Sequence, residues 1–215
     1  MRYTMVCLSY RGYWTSRGRP SEVGINQDTV AAVQWIAQLH KNTYSQANTR
    51  PKPIFVLWGQ SVGAGFATNL AASGTIPNSL PLQAMILETP FLSIRTMLET
   101  LYPQKWLPYR YLHPFLRNHL DSWRNLGVMA STARQKAGVL PHVFILQAAR
   151  DEIVPAHHAA ELERRCSDLG LAVERKKAPR AYHNDALYRA RTPVVKFITQ
   201  QAVRVMSGVE HSPHS

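Results

Sequence analysis

Apolar positions along this chain alternate between strand-like runs and helical spacing. Residues 4–9 carry a short β-favouring pattern and lead into a glycine-rich loop that reaches Gly24. Over residues 25–42 the apolar side chains Val30, Val33, Ile36, Ala37 and Leu39 recur at helical intervals, which predicts a helix. A polar loop over 45–53 precedes the continuous apolar run Ile54-Phe55-Val56-Leu57-Trp58, and the small residues of 64–72 then read as a helix ending near Gly74. Ala84-Met85-Ile86-Leu87 and His142-Val143-Phe144-Ile145-Leu146 are buried-type strands, and 172–177 alternates weakly as a fifth. Helices are expected over 131–138, 156–169 and 186–206. Strands alternating with helices predict an α/β fold, a mostly parallel sheet of about five strands with helices on both faces. Residues 91–126 are dense in aromatics and prolines (Tyr102, Trp106, Tyr109, Tyr111, Phe115, Trp123), and their insertion after a strand predicts a small helical cap. The alternative for the same segment is surface helices that merely fill space. The expected domain covers 1–207, with the cap at about 91–126 and a frayed tail at 208–215.

The chemistry concentrates at Gly59-Gln60-Ser61-Val62-Gly63, which sits between the apolar run and the small-residue helix. Strand, G-x-S-x-G, helix is the context of a nucleophile elbow, in which a serine on a strained turn is exposed above a sheet. Gly59 and Gly63 are expected there because a Cβ at either position would obstruct the approach of strand and helix. A nucleophilic serine needs a base, and the base an orienting acid. Asp151 lies just past the strand that begins at His142, and His183 lies in the loop after the weak fifth strand, so the order is Ser, Asp, His. Glu88, also at a strand end, is the alternative acid, with the role of a loop-organising hydrogen-bond acceptor weighed beside it. Asp185 reads as a helix-start residue and Asp28 as a carboxylate in a helix's first turn. His157 and His158 are expected to be exposed helix residues, and His211 and His214 to be solvated; no metal site is expected.

Tyr10-Arg11-Gly12-Tyr13, then Ser16-Arg17-Gly18-Arg19-Pro20-Ser21-Glu22-Val23-Gly24 and Asp28, resembles the signature of the bud-emergence-related family of α/β-hydrolases. Glu88-Thr89-Pro90-Phe91-Leu92-Ser93-Ile94, Asp121-Ser122-Trp123, Asp151-Glu152-Ile153-Val154-Pro155 and His183-Asn184-Asp185 are similar to later motifs of that family. Trp14 stands where the signature has its second glycine, and Ala148 where the family often has glycine before its acid. The resemblance implies the α/β-hydrolase fold, Ser61 as nucleophile, Asp151 as acid, His183 as base and the Val62 N–H as an oxyanion donor. Hydrolysis of an ester, thioester or amide follows, with no cofactor, and Phe91 and Gln60 as candidate substrate-contacting residues. The resemblance begins at the family's fourth strand, so the chain is expected to lack the first three strands and the loop that supplies the second oxyanion donor. A remnant without catalysis and a serine peptidase of the same fold are therefore the rival readings.

Composition changes this picture little. With 215 residues, 45% of them hydrophobic and 18% charged, the chain can bury a core. No run approaches the roughly 18 apolar residues of a membrane-spanning helix. The first ten residues are too short and too β-like for a signal peptide. Cys7 and Cys166 alone predict buried or inert thiols rather than a disulfide framework, which points to a reducing, intracellular setting. The net charge of +12 is scattered, its longest run being Arg175-Lys176-Lys177. A solvated basic surface accounts for it, with attraction to anionic membrane surfaces as the alternative; no nucleic-acid motif accompanies it.

Overall fold

The computed structural model describes residues 3–44, 53–102, 116–136 and 138–207. Helix α1 (Glu22–Thr43) starts earlier than its apolar periodicity implies because Ser21 caps it: its hydroxyl accepts from the Gly24 N–H at 3.1 Å. Glu22 in the first turn and His40 and Lys41 in the last complement the helix dipole. Four strands follow: β1 (Phe55–Gln60), β2 (Leu82–Glu88), β3 (His142–Ala148) and β4 (Val173–Ala178). They form one sheet in the order β1-β2-β3-β4 with every pair parallel. The connections carry α2 (Val62–Ala72), then α3 (Ile94–Leu101) and α4 (Ser122–Gln135), then α5 (Ala156–Asp168). After β4 come the single turn α6 (Ala186–Arg189) and α7 (Arg191–Met206).

Strands β2 and β3 read as unbroken apolar runs because both of their faces are buried. On one face Met85, Leu87, Val143 and Ile145 meet Ala64 and Ala67 of α2, Leu126 and Met129 of α4, and Leu162 of α5. On the other, Ala84, Ile86, Phe144 and Leu146 meet Ala186 of α6 and Val194 and Phe197 of α7. Helix α1 joins the first layer through Val33, which packs with Phe55, Leu70 and Leu80. Because the strands are parallel, their C-terminal ends lie at one edge, where α/β sheets place their ligands.

The structure corrects four expectations. Residues 4–9 form no strand, so the described sheet has four strands and not five; Met5, Val6 and Leu8 are exposed. A strand is held by its ladder partners, and apolar alternation without a neighbour to bond does not make one. The expected helix at 131–138 is the end of the longer α4, which Asp121 caps by accepting from the Arg124 N–H at 2.9 Å. Leu126 of α4 lies in the core, so the expected cap cannot extend to it; residues 103–115, which hold most of that segment's aromatics, are outside the described residues, as is the tail at 208–215. The last predicted helix breaks at Ala190, where φ is −127° and ψ is 30°. Pro193 explains the break: in a continuous helix its ring would clash with the Arg189 carbonyl, whereas the first turn of a new helix accommodates it.

Candidate active site

Strand β1 delivers Ser61 onto a turn with φ 51° and ψ −115°, and α2 begins at the next residue. Such a conformation is costly for a residue with a side chain and persists where the surroundings over-determine it. Gly59 is one determinant: a Cβ there would lie 2.1 Å from the Gly63 carbonyl oxygen. Gly63 is different from expectation. A Cβ at Gly63 would meet only the Tyr10 hydroxyl, at 3.7 Å, so nothing crowds that position. The Ser61 N–H donates to the Glu88 carbonyl at 2.8 Å, which extends the β1–β2 ladder into the turn. Val62, first residue of α2, has one of the helix N–H groups without an intrahelical acceptor.

Asp151 and His183 are brought together from the ends of β3 and β4. The ring Nδ1 lies 2.9 Å and 3.0 Å from the two carboxylate oxygens, and both side chains are almost fully buried. An ionised carboxylate only accepts, so Nδ1 donates to Asp151, and in the neutral ring this tautomer leaves the lone pair on Nε2. Asp151 also accepts from the N–H groups of Val154 at 2.8 Å and Ile153 at 3.0 Å. Burial pushes the Asp151 carboxyl up, but the hydrogen bonds from His183, Val154 and Ile153 outweigh it and hold the group below its ordinary value. The His183 backbone is pinned at both ends. Its N–H donates to Glu152 Oε2 at 3.0 Å, and its carbonyl accepts from Gln60 Nε2 at 3.3 Å. Gln60, the residue before Ser61, thereby ties the His183 backbone to the end of β1. Among the described residues no hydrogen bond joins Ser61 Oγ to the imidazole, a contact that often tightens only when substrate is bound.

Other candidates take different places. Phe91 is 5% exposed, in a buried cluster with Ile25, Phe66, Leu120 and Val154 against which Tyr10 packs. Asp185 is the N-cap of α6, and its carboxylate pairs with Arg189 at 2.6 Å. His158, expected to be exposed, is fully buried: its Nδ1 accepts from the Leu92 N–H at 3.1 Å, and burial holds its pKa down at about 4. The Cys166 thiol is pushed up to about 12 by burial, whereas Cys7 is exposed. Asp28 binds the Arg11 guanidinium through contacts of 2.6 to 3.1 Å, a pairing that no local sequence signal announces. That pair anchors the Tyr10–Gly24 loop on α1. Gly12 (φ 78°) turns within the loop, and a Cβ on it would meet Pro20 Cδ at 2.5 Å. Trp14 adopts φ 47°, the conformation that suits the glycine it replaces, and its side chain is 95% exposed.

A family profile described as the alpha/beta hydrolase fold matches residues 24–186, most of the chain. The chain belongs to the α/β-hydrolase family. Within it, the chain is 34% identical over 153 residues to the lysophosphatidylserine lipase ABHD12 of Danio rerio, covering 71% of this chain and 37% of that protein. This α/β-hydrolase chain therefore spans well under half the length of that relative. Among solved structures it resembles the Pyrococcus furiosus esterase Pf2001 (TM-score 0.57, 16% identity, 89% of this chain and 66% of that one). It also resembles an alpha-beta hydrolase from Vibrio vulnificus (TM-score 0.62, 16% identity, 89% and 61%). At such identities these two structures speak for the α/β-hydrolase fold alone. The narrower bud-emergence-related likeness rests on the motifs.

Proposed function

We propose that the chain is a serine hydrolase that cleaves carboxylic esters, and by the same chemistry thioesters or amides, through an acyl-enzyme on Ser61. The observation that carries this reading is the buried Asp151–His183 pair, bound through Gln60 to the strained turn that presents Ser61. His183 Nε2 takes the Ser61 proton as the hydroxyl attacks the acyl carbonyl. Asp151 holds the tautomer and stabilises the imidazolium that forms. The Val62 N–H, at the positive end of α2, receives the developing oxyanion. His183 then passes its proton to the leaving alcohol and activates water to release the acid. The folded unit of this reading is residues 1–207. Phe91 and its apolar neighbours are proposed as one wall of an acyl-binding region.

The named lipase relative and the net charge of +12 favour a lysophospholipid ester with an anionic headgroup, met at an anionic membrane surface. One observation favours the remnant reading as well. Val62 supplies the sole oxyanion donor assigned among the described residues, and a missing second donor costs about 10² to 10³ in turnover. Turnover of p-nitrophenyl butyrate and labelling by a fluorophosphonate probe decide between them. Ser61→Ala, Asp151→Asn and His183→Ala should each lower turnover by about 10³ or more with folding retained, and the double variant Ser61→Ala/His183→Ala should lose little beyond either single one. Turnover in Ser61→Ala equal to that of the parent chain would end the serine-hydrolase reading; no labelling and no turnover in the parent chain would establish the remnant.

A further inference from the structure

We infer that Glu88 is a positioning residue of this site, which ties the segment carrying His183 to the strand carrying Ser61 and so keeps base and nucleophile in register. The inference rests on the triad reading above.

Glu88 is the last residue of β2 and is 4% exposed. It pairs with Gln60 across the β1–β2 ladder, and its carbonyl accepts the Ser61 N–H at 2.8 Å. Its carboxylate reaches in two further directions. Oε1 accepts from the Leu187 N–H at 3.0 Å, within the single turn α6 that follows the His183 loop. Oε2 accepts from the Trp58 indole N–H at 3.2 Å, on β1 just before the elbow. One buried residue therefore holds three donors, two on the nucleophile side and one on the base side.

Helix α6 needs such an anchor. An isolated single turn has no cooperative stability of its own, and its N-cap, Asp185, makes no side-chain capping bond. The Leu187 N–H is one of the first-turn groups that a helix cannot satisfy internally. Without Glu88 it would be left in the interior beside Ala186 and the Phe144–Phe197 cluster. Glu88 is not the acid of the triad, because its oxygens are bound to Leu187 and Trp58 while Asp151 takes Nδ1. A buried carboxylate is a costly acceptor. Burial raises the Glu88 carboxyl above its ordinary value, and the hydrogen bonds from the Leu187 N–H and the Trp58 indole offset only part of that rise. The two N–H donors explain why this position holds an acceptor with two outward-facing oxygens, which a shorter hydroxyl or an amide could not supply.

Glu88→Gln and Glu88→Met test the inference in the full chain, with Ser61→Ala as the control. Met matches the length of Glu and has no strong acceptor; Gln retains one oxygen, so one of the two donors keeps its partner. Misplacing a catalytic group by about 1 Å costs about 10² in rate, so Met should lower kcat for p-nitrophenyl butyrate by about that factor, and Gln by about three- to tenfold, with KM held within about twofold. The far-downfield proton resonance of the His183 Nδ1–H should persist in Gln and broaden in Met. A folded Met variant with kcat within about threefold of the parent, or a loss carried by KM, overturns the positioning role. Should Met not fold, Gln decides: parental kcat together with an unchanged Nδ1–H resonance overturns it. Ser61→Ala separates the two failures. If Ser61→Ala is inactive and the Glu88 variants behave as the parent, only the Glu88 inference falls; if Ser61→Ala is active, the triad reading itself falls.

Discussion

Burial removes His158 from the range in which an exposed histidine changes charge. Its pKa is depressed from an ordinary 6.5 to about 4 in the folded chain, while the unfolded chain keeps the ordinary value. Between these two values the unfolded state binds the proton and the folded state does not, so stability is fully present above 6.5 and is lost as pH falls toward 4. The shift corresponds to a loss on the order of 3 kcal/mol across that window. His158→Asn, whose amide oxygen can replace Nδ1 as acceptor for Leu92, should flatten the pH dependence of urea unfolding between pH 6.5 and 4. A curve as steep as that of the parent would show that another group governs the window. At this scale the strand-end positions of Ser61, Asp151 and His183 were legible in the sequence, the first two after apolar runs and the third after the weakly patterned β4. The sequence did not announce the burial of His158, the Arg11–Asp28 pair or the Gln60 bond to the His183 carbonyl. Those depend on which distant segments meet, and a local pattern carries no such information.

Among the elements, the turn from β1 to α2 shows the difference between a motif and the sterics behind it. Both glycines of G-x-S-x-G belong to the pattern, yet only Gly59 is crowded in the structure. Gly59→Ala drives a methyl into the Gly63 backbone and should cost well above the ~1–3 kcal/mol of ordinary overpacking, leaving little folded protein. Gly63→Ala has room within α2 and should fold, gaining about 0.5–1 kcal/mol from the helix preference of alanine over glycine. Chemical denaturation of the two variants measures the contrast, and equal losses in both would refute it. Strands β2 and β3 were legible because burial on both faces turns their sequence into an uninterrupted apolar run. Residues 4–9 had a strand's composition and none of its pairing, and α4 was masked by Trp123, Arg124 and Asn125 at its start, which resemble the polar and aromatic segment before them. The break before α7 was readable in principle, since Pro193 forbids a continuous helix there.

Across the whole molecule the sheet ends in two unlike edges. β4 carries Glu174, Arg175, Lys176 and Lys177, charges of the kind that keep an edge from pairing with other chains. β1 carries Phe55, Val56, Leu57 and Trp58, and on its outer side it has no strand partner among the described residues. Hydrogen exchange should therefore be fast at β1 amides that face outward and slow throughout β2 and β3. Uniform protection of all three strands would show that some other segment covers the β1 edge. The outward side of β1 also bears on what warms out first. Ser61 is suspended from an edge strand, while Asp151 rises from β3 in the interior of the sheet. Regions of a fold open in order of their local stability, so heating should detach Ser61 from its proposed partners Asp151 and His183 before the core gives way. Turnover of p-nitrophenyl butyrate would then fade at a lower temperature than the calorimetric transition, with the catalytic machinery failing as a loose hinge on an otherwise standing building.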